Sequence, residues 1–249
     1  ILAEETVKTL FSRHKAFLIE AHHLSIKYRN QIIILVGFES EWIRPSYSTL
    51  INQLAADPAV DYFIGSVHHV HEVPIDYNVA LYTRAREIAG GTDARLFEDY
   101  FDAQYSMLMA VRPLVIGHFD LIRLFSDQPN LDLRELSGVW SRVLRNLRVI
   151  VDRTALLEVN SSGLRKGLKE PYPMRCICEA YLGMGGRLTL SDDSHSIAQV
   201  STCYPETLDF LSSLGVEEIW YMDRKTNTSG TTSRHIALKS ILSNMTRKI

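Results

Sequence analysis

Five short apolar runs in this chain end in side chains that can bind a metal or a phosphate. The first ends in Gly37-Phe38-Glu39-Ser40-Glu41 and the second in Gly65-Ser66-Val67-His68-His69. The third ends in Gly117-His118-Phe119-Asp120 and the fourth in Glu158-Val159-Asn160-Ser161. The fifth ends in Leu190-Ser191-Asp192-Asp193-Ser194-His195. Carboxylates mixed with imidazoles suit hard or borderline divalent cations such as Zn, Mn or Fe. A lone His or Asp after a strand is ordinarily a turn or helix-capping residue. Five successive strand ends with the same chemistry are harder to assign to capping alone.

Alternation narrows the choice, because residues i and i+2 of an extended segment share a face. Asp193 and His195 are expected to point inward together, with Asp192 turned away. His68 and His69 point oppositely, so one of the pair is expected to be a direct ligand. Glu39 and Glu41 share a face, and alternation cannot separate them. Asp120 is expected to cap the helix that follows it. His14, His22 and His23 fall on the solvated face of a first helix, and His235 at the start of the last one.

These residues need a scaffold that brings strand ends together. The apolar runs are Ile32–Phe38, Tyr62–Val67, Pro113–Gly117, Ala155–Val159, Arg187–Leu190 and Glu218–Met222. Helical patterns lie between them. In Asp93–Val111 the residues Leu96, Phe97, Tyr100, Phe101, Leu108 and Val111 form one stripe, with Asp93 as a cap and Pro113 as a stop. Further helices are expected over Leu136–Val151, from near Pro171, and from near Pro205 to the C-cap at Gly215. Apolar strands separated by helices imply a parallel sheet buried on both faces. About six such units suit a barrel-like array, in which the C-terminal strand ends converge on one face and build the active site.

Composition excludes other classes. Of the 249 residues 22% are charged and the net charge is −2, so no basic excess points to a nucleic-acid or membrane-surface partner. No run approaches the roughly 18 apolar residues of a membrane span. The cysteines, Cys176, Cys178 and Cys203, form no Cys-x-x-Cys, which argues against a disulfide framework or zinc knuckle and for the cytoplasm. No linker or repeat divides residues 1–249, so one domain is expected. The chain opens at Ile1 and runs into a helix, which reads as a truncated or processed start.

The ordered motifs resemble the PHP (polymerase and histidinol phosphatase) family, and within it the fungal-type histidinol-phosphatases. The segments carrying the likeness are Gly37-Phe38-Glu39, Gly65-Ser66-Val67-His68-His69-Val70, Pro74-Ile75-Asp76-Tyr77 and Val115-Ile116-Gly117-His118-Phe119-Asp120-Leu121. They continue in Glu158-Val159-Asn160-Ser161-Ser162, Leu164-Arg165-Lys166, Glu170-Pro171-Tyr172-Pro173 and Leu190-Ser191-Asp192-Asp193-Ser194-His195. The resemblance implies an α/β fold, a distorted (βα)7 TIM-like barrel, here incomplete at the N-terminus. It implies up to three divalent metals at the strand ends. Glu39 would be the carboxylate bridging two of them, and His68 and His118 the other ligands of one. Asp193 would serve the second metal and His195 the third.

The resemblance further implies hydrolysis of L-histidinol phosphate, a small phosphate ester, to histidinol and phosphate in histidine biosynthesis. Arg165 is a candidate phosphate contact and Asp76 a candidate for the substrate amine, with Lys166 a weaker phosphate candidate. One departure stands out: the family's opening His-x-His motif has no counterpart before Glu39. Only the Glu39, His68, His118 position would then keep a full protein ligand set, with one well-held metal. The strand carrying Glu39 would have a free edge, to be covered by a docked N-terminal segment or a second copy of the chain. Two other readings are a related phosphoesterase with another small substrate, and a non-catalytic remnant that binds metal.

Overall fold

In the computed structural model, which describes residues 7–225 and 230–246, the strands are β1 (Gly37–Glu41), β2 (Tyr62–Ser66), a small hairpin of β3 (His69–Val70) and β4 (Val73–Pro74), β5 (Val115–Ile116), β6 (Leu156–Asn160), β7 (Arg187–Ser191), β8 (Glu218–Arg224) and β9 (Thr231–Ala237). The main sheet has the order β1-β2-β5-β6-β7-β8-β9. Its first six strands pair in parallel, and β9 closes the series antiparallel to β8. Parallel neighbours place all six C-terminal ends on one face. The helices are α1 (Val7–Lys27), α2 (Tyr47–Ala55), α3 (Val79–Ile88), α4 (Asp93–Ala110), α5 (Ser137–Asp152), α6 (Ser162–Arg165), α7 (Arg175–Gly183), α8 (Tyr204–Ser213) and α9 (Leu238–Thr246).

The core lies where the α4 and α5 stripes meet the sheet. Every apolar position expected for the α4 stripe is buried, and α5 buries Val139, Val143, Leu147 and Ile150 at helical spacing. Each such side chain contributes roughly 1.5–3 kcal/mol by leaving water. Central β6 is buried along its whole length, as a parallel strand covered on both faces must be.

No hydrogen-bonded ladder joins β1 to β9 among the described residues, so the barrel is not closed by backbone pairing. The two ends are tied by side chains instead. Arg224, at the end of β8, donates to both carboxylate oxygens of Asp61 at 2.7 and 2.9 Å and to the Ile34 carbonyl at 3.0 Å. Asp61 precedes β2 and also accepts from the Val36 N–H at 2.7 Å. The sheet therefore curls until its last parallel strand reaches the approach to its first two.

Several expectations are corrected. The Ile32–Phe38 run is not a strand along its length: pairing begins at Gly37, opposite Tyr62, and Ile32 and Ile33 are exposed. β2 starts at Tyr62, so earlier residues have no ladder to join. His235 lies in β9, not in a helix, and its Nδ1 is 2.9 Å from Glu218 across the hairpin. Asp120 makes no side-chain cap. It is fully buried and accepts from Arg123 Nε at 2.8 Å and Met174 N at 2.9 Å. Thr92, not Asp93, caps α4, and Asp93 accepts from the Tyr82 hydroxyl at 2.8 Å. The helix expected from near Pro171 begins at Arg175. His14 is half-buried, its ring edge-on to Phe38 at 5.8 Å, so it faces the sheet and not solvent.

Candidate metal centre

Three strands deliver three donors to one point. Glu39 projects from β1, His68 from just beyond β2 and His118 from just beyond β5, the three adjacent strands at one end of the sheet. His118 Nε2 is 3.0 Å from His68 Nε2 and 2.9 Å from Glu39 Oε1. The third side, His68 Nε2 to Glu39 Oε1, is 3.5 Å. Two imidazole nitrogens this close with a carboxylate are a donor set that suits one cation. The corners of such a triangle lie about 1.8 Å from its centre, so a point at roughly 2.0–2.2 Å from all three, ordinary Zn–N and Zn–O lengths, sits just off its plane. Among the described residues no other group of three or more ligating side chains converges in this way.

The backbone behind the site is built for close approach. A Cβ on Gly117 would stand 2.4 Å from Ser66 Oγ and 3.0 Å from Ile64 Cγ2, so only glycine lets β5 lie this near β2 immediately before His118. Glu158, buried in β6, accepts from the His118 N–H at 2.6 Å and from Asn160 Nδ2 at 3.1 Å. The His118 ring also lies 6.4 Å from that of Tyr172, which is buried, so His118 has little freedom to turn.

Electrostatics follow from this crowding. Burial acts most strongly on Glu39 and alone would raise its pKa, although 39% of the side chain is exposed. The hydrogen bond and charge of His118, with the charge of His68, reverse this and hold the carboxyl well below its usual range. Burial likewise would lower His118, but its bond to Glu39 and the charges of Glu39, Glu158 and Asp193 push it up to about 9. Burial alone would raise Glu41, but the neighbouring rings of His68 and His69 together outweigh it and leave it at about 2.

The remaining expected site residues sit outside the triangle. Asp193 has φ +50, so the chain leaves the extended form after β7 and the alternation argument fails there. Its charge still acts on His118. His195 is 76% exposed and turns its Nδ1 to the Asp193 carbonyl at 2.9 Å. Arg165 donates to the carbonyls of Asp192 and Asp193 at 2.7 and 3.0 Å, bracing the loop that carries both residues. Asp76 is half-buried; after burial and Asp120, its charge helps push Tyr100 well up.

Sequence reasoning missed the second carboxylate. Glu41 spans both histidines of the pair, with Oε1 2.9 Å from His69 Nδ1 and Oε2 3.3 Å from His68 Nδ1. The signal was present in the shared face of Glu39 and Glu41, but its meaning depended on the β1–β2 register. A cavity of about 650 Å³ flanks this edge of the site, lined by Phe11 and His14 of α1, Tyr47 and Leu54 of α2, and Glu39 and Glu41.

Comparison with known proteins finds likenesses over most of the chain. Residues 11–162 match the PHP domain. A Schizosaccharomyces pombe protein named probable histidinol-phosphatase is 36% identical over 235 residues, 94% of this chain and 77% of the relative. Saccharomyces cerevisiae histidinol-phosphatase is 29% identical over 248 residues, 88% of this chain and 74% of the relative. The fold superposes on Lactococcus lactis histidinol phosphate phosphatase, solved with Zn, L-histidinol and phosphate, with a TM-score of 0.61 at 16% identity, covering 83% of this chain and 76% of that one.

Proposed function

This chain belongs to the PHP family, and from that premise we propose that it is a divalent-metal-dependent phosphatase that hydrolyses L-histidinol phosphate to L-histidinol and phosphate. The observation that carries the reading is the convergence of Glu39, His68 and His118. A protein of the same fold, solved in complex with Zn, L-histidinol and phosphate, supports the substrate.

Uncatalysed hydrolysis of phosphate monoesters is among the slowest reactions in water, so a site must supply both a nucleophile and charge neutralisation. A divalent cation held by Glu39, His68 and His118, Zn, Mn or Fe, supplies water activation and a positive clamp on phosphoryl oxygens. The protein keeps Glu39 ionised through His118, holds the His118 backbone on Glu158 and sets its ring beside Tyr172. One such position per chain binds metal far better than any second or third. Asp193 and His195, on the loop braced by Arg165, serve further ions of the site. A guanidinium has five donors, and in this reading those of Arg165 not engaged by the loop receive the phosphate, while Asp76 meets the substrate amine.

The reading carries the cytoplasm as compartment, supported by three free cysteines. Among the described residues no helix is long and apolar enough to cross a membrane. The outer edge of β1, without a strand partner among the described residues, supports association there with a docked segment or a second copy. Phosphate release from L-histidinol phosphate, with Zn or Mn supplied after chelation, tests the function. Release that depends on the added metal and vanishes in His118→Ala is expected. No release from the fully loaded chain would overturn it.

A further inference from the structure

His68 shows its two ring nitrogens to two different carboxylates. Nε2 faces Glu39 and His118, while Nδ1 lies 3.3 Å from Glu41 Oε2. The opposite oxygen of Glu41 is 2.9 Å from His69 Nδ1. His69 is buried, so the carboxylate is anchored on one side by a fixed ring. The β1–β2 register explains the arrangement. Glu39 pairs with Ile64 and Glu41 with Ser66, and the two glutamates share a face, so Glu41 stands one step further toward the His68-His69 turn.

An imidazole that offers the Nε2 lone pair to a cation must keep its proton on Nδ1. The group positioned to accept that proton is Glu41. Their contact is at ion-pair distance, and the buried His68 Nδ1 has no hydrogen-bond partner among the described residues.

We infer that Glu41 is a positioning residue of the metal site: anchored by His69, its carboxylate sets the ring orientation and tautomer of His68 so that Nε2 faces Glu39 and His118. The inference rests on reading Glu39, His68 and His118 as the ligands. It separates the four acidic and basic neighbours by role. Glu39 and His68 hold the ion, Glu41 holds His68, and His69 holds Glu41.

The test is Zn2+ affinity of the full chain, measured by competition with a chromophoric chelator, alongside thermal unfolding of the metal-free protein. Glu41→Gln leaves one oxygen to serve two imidazole N–H donors and is expected to weaken Zn2+ binding about 10–100-fold, the usual cost of losing a partner behind a ligating histidine. Glu41→Asp, shorter by one methylene and still charged, is expected to lose affinity in the same range, and serves if the glutamine variant does not fold. His69→Ala is expected to cost less, and in the Glu41→Gln background to cost under about twofold more, because both act through one path. Independent, multiplying losses would mean that Glu41 acts only on the general fold, and would overturn the inference. Wild-type and Glu41→Gln chains of equal affinity would overturn it while leaving the metal site intact. A wild-type chain that binds no Zn2+ would overturn the ligand reading and this inference together.

Discussion

His68 and His118, fifty residues apart in the chain, bring their Nε2 atoms to 3.0 Å from one another. Two nitrogens of like character do not settle at this distance for their own sake. One can donate only if the other is neutral, and Glu39 competes for the same proton. A cation resolves the competition by taking all three lone pairs. His68→Ala and His118→Ala are therefore expected to lower Zn2+ affinity more than about 100-fold, beyond the range for groups behind a ligand, and to abolish turnover with the fold retained. His69→Ala is expected to cost less than about tenfold. Chelator competition and circular dichroism on the three variants check this; equal losses from His68 and His69 would show that the ligand has been misidentified.

The Glu39–His118 pair gives a pH dependence of opposite sign with and without metal. In the metal-free chain Glu39 is lowered, so its stabilising contribution is present above its unfolded pKa of about 4.3 and is lost as pH falls through the lower folded value. His118 is raised to about 9, so its contribution is full below its unfolded pKa of about 6.5 and is lost as pH rises to about 9. With a chelator present, the melting temperature is expected to fall between about pH 6.5 and 9. Metal affinity is expected to rise across that window, because the cation must displace the His118 proton. Melting curves with and without Zn2+ at several pH values measure both; parallel curves would contradict the pairing.

Arg123 tests the frame behind the site. It is fully buried, donates to Asp120 at 2.8 Å, and reaches the carbonyls of Pro129, Glu170 and Pro171. Asp120 in turn accepts from the Met174 N–H. Arg123→Met leaves the buried Asp120 carboxyl without its ionic partner, and removing one partner of a buried pair costs about 3–5 kcal/mol. Denaturant unfolding is expected to show a loss of that size. A loss below about 1 kcal/mol, the range of exposed ion pairs, would mean that the pair is open to water.

Gly117→Ala places a methyl group against Ser66 and Ile64, just before His118. Overpacking of this kind costs about 1–3 kcal/mol, and here the strain falls between β2 and β5, the strands that carry the two histidines. The expected outcome is a lower melting temperature together with weaker Zn2+ binding. A variant of lower stability with unchanged metal affinity would show that the strands accommodate the methyl away from the site.

Local pattern alone located most of the scaffold and the strand ends that carry the candidate site. The apolar runs became the six parallel strands, with only the first displaced, and the α4 and α5 stripes are buried as their periodicity requires. Glu39, His68 and His118 each end an apolar run, and strand ends in a parallel sheet converge, but choosing them over Glu41 and His69 took the resemblance to the PHP family. The tertiary structure alone decided what depends on register and on contacts between distant segments. Alternation could not rank Glu39 against Glu41; the pairing of β1 with β2 places Glu39 beside the Nε2 atoms of His68 and His118 and Glu41 at the Nδ1 side of His68. Arg165 found two carbonyls nearly thirty residues downstream, and Asp120 found Arg123 and Met174. Asp193 turned to positive φ where alternation assumed an extended chain, and Arg224 joined Asp61 across most of the molecule. Periodicity fixes which face of an element is apolar, but it carries no information about which polar group waits across a gap of tens or hundreds of residues. That choice is made when the packed strands set the distances.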